Sequence, residues 1–418
     1  MESITDYTVE IQKRVSEFGR GIGKKGLSRP EAKNVTSGIQ AMLKVRDAHV
    51  MGLARALGEK ISPKKTWERL SRSYRKDGMW KRVLEGNMAL HEGQIRKKRY
   101  CIIDVSDIRK DYSRKMEGLG RVRDGSRKEI VDGYWWINAV MADSGGIMPV
   151  YGEVYSLEEE GREHASENVK VLGIIDRVGR IHSGAVFVMD RGGDRGKLLK
   201  PMLAEGKKFV VRCQGLRDVK LHADSERTTN IKKVAGRIRP LVTCESVRKR
   251  KMMFEVGVRR VYLDGHALWL VASRQKGEKN GLSWYLTNVE GNRHEVIATV
   301  MEAYGLRWRV EEYHRQIKQD YHLEAISLRT YQAIKTMGVI VMLAAMLCAR
   351  LPESLTIKLL AATNLLPRKR LSDIPQYPFY MISEAVALAL AASIKRRPQP
   401  LHIRKRDYFQ LKLNLVSV

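Results

Sequence analysis

Tyr304-Gly-Leu-Arg-Trp-Arg-Val-Glu-Glu-Tyr-His-Arg-Gln-Ile-Lys318 is the most informative stretch of this chain. At about 100° per residue on an α-helix, Tyr304, Arg307, Glu311 and Lys318 fall within an arc of roughly 60°. One helical face therefore carries an aromatic hydroxyl, two cations and an acid. A solvated i, i+4 pair between Arg307 and Glu311 accounts for a few tenths of a kcal/mol, roughly. It does not account for Tyr304 and Lys318 on the same stripe. Glu312, about 100° further round the helix, is the natural decoy.

Two earlier carboxylates stand in equally awkward places. Asp104 interrupts Tyr100-Cys-Ile-Ile-Asp-Val-Ser-Asp-Ile108, a run that reads as a strand with a buried face. Burying an unpaired carboxylate is costly unless cations or hydrogen bonds compensate. Asp190 closes the apolar strand Ala185-Val-Phe-Val-Met189, which puts its side chain at a sheet edge. A capping or turn aspartate explains either position taken singly, and the third acid at Glu311 gives the set its weight. Asp107 lies close to Asp104 in sequence, but strand alternation sends it to the opposite face.

The charge balance says what such acids could act on. The 418 residues hold 77 Lys plus Arg against 47 Asp plus Glu, a formal net charge of +30. With 43% hydrophobic residues the chain can bury real cores and is no basic tail. Self-repulsion on that scale points to a polyanionic partner, and nucleic acid fits better than a membrane. Cys101, Cys213, Cys244 and Cys348 are far apart, which argues against a disulfide framework or a structural zinc site and suits a reducing cytosol. The polar, acid-bearing N-terminus does not read as a signal peptide. The longest apolar run, Met337 to Ala349, falls short of the ~18 residues a membrane span needs and reads as a buried helix.

Around these residues the sequence divides into five parts. Residues 1–95 are helical and basic, with a Ser62-Pro63 helix start and an apolar stripe of Trp67, Leu70 and Tyr74 flanked by cations from Lys64 to Lys76. Such a helix can dock on DNA backbone or present an ordinary solvated face. Residues 96–205 read as three strands, a helix and a strand, a mixed sheet covered by helices. Residues 206–290 hold short β-type runs between turns. Residues 291–350 return to helix, and residues 351–418 form a basic C-terminal region with clusters at Lys395 to Arg397 and Arg404 to Arg406. Gly21-Ile-Gly-Lys-Lys-Gly26 matches GxGxxG, but its flank looks like a helix end instead of a strand, so it reads as a loop and not a dinucleotide site. The ten histidines are scattered and no terminal-tyrosine constellation is present, which disfavours a covalent recombinase. A glycosidase carboxylate pair does not need the charge.

Tyr-x2-Arg-x3-Glu-x6-Lys at Tyr304, Arg307, Glu311 and Lys318 resembles the YREK signature of DDE insertion-sequence transposases of the insertion-sequence-four type. Asp104 and Asp190, the latter in Met-Asp-Arg, resemble that family's two aspartates, and the resemblance spans about residues 60 to 345. It implies an α/β (α+β) fold: a ribonuclease H-like mixed sheet flanked by helices, a helical N-terminal DNA-binding domain and a β-rich insertion subdomain at 206–290. It implies that Asp104, Asp190 and Glu311 hold two Mg²⁺ ions, with Mn²⁺ as substitute, and that Tyr304, Arg307 and Lys318 bind DNA phosphates, with Arg191 a further candidate. Converging acids without metal should show raised pKa values. Trp284 lies near where hairpin-forming relatives keep a DNA-stacking tryptophan, although Tyr285 and Leu286, which continue the strand, favour a core strand residue over a base probe. The implied activity is cut-and-paste transposition on double-stranded DNA, inverted-repeat ends and target alike, by a homodimer in a nucleoid-associated, cytoplasmic setting without a membrane. The alternative is a catalytically inactive DNA-binding regulator derived from a transposase.

Overall fold

The computed structural model describes residues 4–113, 115–125, 127–158, 166–245, 252–278, 281–363 and 379–392. Its centre is a mixed sheet built from β1 (Tyr100–Arg109), β2 (Gly120–Arg123), β3 (Ile130–Asp143), β4 (Gly146–Tyr155), β5 (Val186–Met189) and β6 (Lys208–Arg212). β3 runs antiparallel to β1, β2 and β4, whereas β1, β5 and β6 run parallel to one another. The helix Glu167–Ile181 supplies the crossover that a parallel pair requires between β4 and β5. Three long strands, a helix and a strand is the order expected from the sequence. This is a mixed α/β, ribonuclease H-like arrangement. The short strand β2 was not anticipated, since four residues of Gly-Arg-Val-Arg carry no apolar run.

Beyond β6 the same hydrogen-bonded sheet continues through β12 (Ser283–Thr287), β11 (His266–Gln275) and β10 (Met253–Leu263), with β7 (Asp218–Lys220), β8 (Thr228–Asn230) and β9 (Val242–Glu245) at its far side. The runs at 252–258 and 260–263 read as two strands in the sequence but form the single strand β10, because Arg259 and Arg260 stay in register with Leu270 and Trp269. The β10–β11 turn is Asp264-Gly265, both with positive φ, the two-residue geometry that matches the twist of a hairpin.

Helices cover the sheet. The helix Tyr331–Ala349 is buried along nearly its whole length against β4 and the N-terminal helices. It is nineteen residues, longer than the apolar run suggested, and by length and composition it could cross a membrane, but 83% of its apolar window is buried inside the fold. Trp136 on β3 is fully buried and meets this helix where Gly338 leaves room for its ring. A Cβ at Gly152 on β4 would stand 2.4 Å from the same ring, so glycine is required there by close approach.

The N-terminal helices follow their sequence signals. Pro63–Tyr74 is a helix whose cap, Ser62, accepts a hydrogen bond from the Lys65 amide at 3.4 Å. Leu70 and Tyr74 are buried, while Trp67 stays exposed at 36%. The helix Ile4–Gly23 takes in the first half of the Gly21 to Gly26 segment, so what reads as a loop in the sequence is a helix end followed by a turn at 24–26, and it follows no strand as a nucleotide fingerprint would. The basic clusters at 248–251, 395–397 and 404–406 lie outside the described residues.

Candidate active site

Three elements carry the three acids, and Arg307 bridges two of them, Asp104 and Glu311. Asp104 projects from the middle of β1, Asp190 follows the last residue of β5, and Glu311 lies on the helix Arg293–Arg315. The parallel β1–β5 pairing sets Ile102 beside Val188, so both aspartates lie towards the same ends of neighbouring strands. Asn292 caps the Glu311 helix, its side chain accepting from the His294 and Glu295 amides, while the Glu295 carboxylate returns to the Asn292 amide. That capping box fixes where the helix starts and hence which residues face the sheet.

Arg307 joins two of the acids. Its guanidinium donates to Asp104 Oδ2 at 3.4 Å and to Glu311 Oε1 in a closer contact. Burial opposes its charge, but Asp104, Tyr304 and Glu311 outweigh that and hold its pKa above the ordinary guanidinium range. Tyr304 lies beneath it, with the Arg307 guanidinium 5.2 Å from the ring centroid. Glu312 turns away and pairs with Arg315 at 3.7 Å, as a decoy should.

Asp104 carries the imbalance of the cluster. Burial pushes its carboxyl up to about 7, Arg307 pulls it down, and Asp190 and Glu311 push it up again. Both other acids therefore act on Asp104 electrostatically. Asp190 is otherwise engaged locally, its Oδ1 accepting from the Gly192 amide at 2.7 Å. Among the described residues no three acid, histidine or cysteine side chains stand close enough together to hold a metal ion as they are placed. The chemistry of the donor set, hard carboxylate oxygen on half-buried acids whose charge Arg307 only partly offsets, is the kind a divalent cation takes.

A measurable consequence follows for metal-free protein. Because the folded pKa of Asp104, about 7, exceeds its ordinary 3.8, the folded chain binds this proton more tightly than the unfolded chain does. The resulting stability is fully present below about pH 4 and is lost as pH rises through about 7. Thermal melts in chelator should show Asp104→Asn gaining on the wild type between pH 5 and 8, by on the order of 2 kcal/mol. Parallel pH profiles for the two proteins would show that Asp104 ionises normally.

The remaining candidates are placed unequally. Lys318 does not share the straight helical face that its spacing predicts, because Gln316–Asp320 is a π-helical turn. The wider turn carries Lys318 to Asp107, 3.3 Å away, and to Glu324 at 3.9 Å. Arg191 is exposed beside Asp190. Trp284 sits on the face of β12 opposite Tyr285, packed near Gly215, and is not brought to Tyr304. It is Tyr285 whose ring lies 4.7 Å from that of Tyr304.

Two residues near the acids were not singled out in the sequence. Arg212, at the end of β6, donates to the Tyr304 hydroxyl at 3.3 Å and to Ser283 Oγ at 3.0 Å. Trp308 lines, with Arg212, Phe254, Tyr285, Tyr304 and Glu311, a cavity of about 400 Å³ between the helix and β9–β12. The sequence signal for Arg212 was a cation closing an otherwise apolar strand. Trp308 had none, since its neighbour Arg307 drew the reading.

Residues 147–347 match the family model of the transposase DDE domain. The match supports a DDE transposase, a class that acts on DNA and uses divalent metals. It includes Asp190, Tyr304, Arg307, Glu311 and Lys318 and begins after β1, so Asp104 lies outside it. No curated protein matches the chain.

Proposed function

We propose that this chain is a cut-and-paste DNA transposase of the insertion-sequence-four type, acting at Asp104, Asp190 and Glu311. The observation that carries the reading is Arg307, drawn between Asp104 and Glu311 on the helix that also bears Tyr304. A guanidinium compensating buried acids is a group ready to pass to phosphate when cations replace it. The three acids would hold two Mg²⁺ ions, with Mn²⁺ as substitute, and ions bound there supply Lewis acidity and an activated water or 3′-hydroxyl for in-line attack at phosphorus.

The chain's own groups then divide the work. Arg307 and Lys318 bind phosphates flanking the scissile bond, and the Tyr304 hydroxyl, already aligned by Arg212, donates to a third oxygen. Arg191, exposed next to Asp190, meets the backbone at the mouth of the site. Residues 96–205 and 291–350 serve as the two parts of the catalytic core, 206–290 as its insertion, and 351–418 as a further basic region. Residues 1–95 bind the inverted-repeat ends, with Lys64, Lys65, Arg72 and Arg75 exposed along one helix and its end. Pairing two element ends makes a homodimer the working unit, in the nucleoid of the cytoplasm.

The test is strand cleavage by the full chain on labelled DNA bearing the terminal repeats that flank its coding sequence. Mg²⁺-dependent nicks with free 3′-hydroxyl ends, followed by joining to target DNA, are expected. Tight binding with no cleavage in Mg²⁺ or Mn²⁺ would favour the inactive regulator. A trapped covalent adduct of protein and DNA would replace both readings with a recombinase.

A further inference from the structure

Asn138, on β3, pairs directly across from Asp104 in the antiparallel ladder, so the two side chains share one face of the sheet. It is completely buried. Its Oδ1 lies 2.6 Å from Nε2 of His314, one turn beyond Glu311 on the active-site helix. Its Nδ2 has no hydrogen-bond partner among the described residues. An unpaired buried amide donor is costly, and native chains rarely keep one without a use.

Resting on the reading above, we propose that Asn138 is a positioning residue for the metal site: His314 anchors its carboxamide oxygen, and its amide N–H₂ donates to the Asp104 carboxylate once Arg307 has moved to phosphate. The orientation follows from chemistry. With the amide reversed, Oδ1 would stand beside a carboxylate, two acceptors facing each other. With Oδ1 on His314, the unpartnered Nδ2 is the carboxamide atom left for the carboxylate across the ladder. His314 must carry a proton on Nε2 to donate to that oxygen, and burial, with Lys318 and Arg307 nearby, pushes its pKa down to about 3, so the ring does this as the neutral Nε2–H tautomer. Besides Arg307, Asp104 accepts a hydrogen bond only from the adjacent Val105 amide, at 3.0 Å, among the described residues. A donor on the neighbouring strand would hold the carboxylate in one rotamer, which is what groups behind a metal ligand commonly do.

The test uses the metal-free full chain and Mn²⁺ alone, titrated by calorimetry, together with DNA binding in chelator. Asn138→Leu keeps the branching and heavy-atom count of the side chain but has no donor, and should weaken Mn²⁺ binding by about 10- to 100-fold while DNA affinity in chelator stays as in the wild type. His314→Leu should show the same loss, and His314→Gln, whose amide can still donate to Asn138 Oδ1, should recover most of it. That contrast decides the matter even if Asn138→Leu folds poorly. Wild-type Mn²⁺ binding in His314→Leu, with Asp104→Ala having lost it, would overturn the role of Asn138 and leave the three-acid site standing. Undiminished Mn²⁺ binding and cleavage in Asp104→Ala would overturn the site itself and this inference with it.

Discussion

Glu311→Gln is expected to lower strand cleavage by about a thousandfold or more while leaving DNA binding in Ca²⁺ close to the wild type. Metal-borne charge stabilisation in the transition state amounts to several kcal/mol, and about 4 kcal/mol is a thousandfold in rate. Glutamine keeps the length and the polarity of the side chain but gives up its anionic charge. Asp104→Asn and Asp190→Asn should fall equally far, because three ligands of one site act as a unit and their losses do not add. Glu312→Gln is the matched control: that acid pairs with Arg315 and should leave cleavage within a few-fold of normal. The readout is single-turnover nicking of end DNA. Cleavage surviving in any one of the three variants would remove that residue from the site, and equal losses in Glu311→Gln and Glu312→Gln would point to helix disruption.

Binding itself should depend steeply on salt. Each phosphate neutralised contributes a slope of roughly −0.9 in log K against log salt, so a footprint of about eight phosphates gives a slope near −7. Between 50 and 200 mM salt such a chain loses on the order of 10³- to 10⁵-fold in affinity. The expectation rests on a formal net charge of +30 spread over several segments. Not every cation is available: Arg69 pairs with Glu59 at 2.7 Å, and Lys76 and Arg82 both pair with Glu31. Lys64, Lys65, Arg72 and Arg75 remain exposed. Replacing those four by alanine should flatten the slope by about 3 or 4. A slope near zero in the wild-type chain would break the link between composition and DNA.

Much of the sheet was legible because its strands are apolar and β-branched where they are buried. Tyr100 to Ile108 and Ala185 to Met189 announce themselves, and the carboxylates that interrupt or end them stand out against that background. Glu311 could be chosen over Glu312 because helical periodicity separates the two by about 100°, and their partners separate them in space. The same periodicity failed at Lys318, since a π turn changes the residue count per turn and nothing local in Gln316 to Asp320 announces one. Arg259 looked like a break between two strands although the hairpin carries it and Arg260 at exposed positions. Asn138 and His314 were beyond reach, and Arg212 stood out only as a cation closing an apolar strand, for a common reason. Each matters through a contact across 70 residues or more, and a single sequence records no such pairing.

The central claim is that Asp104, Asp190 and Glu311 form one metal site that cuts DNA. Its most direct test is a crystal structure of the full chain with end DNA and Mn²⁺, read through the anomalous signal of the metal. The account predicts manganese peaks bounded by all three carboxylates, with Arg307 turned from the acids onto a phosphate oxygen. Manganese bound elsewhere, or Arg307 still bridging Asp104 and Glu311 with Asp190 apart from any metal, would contradict it.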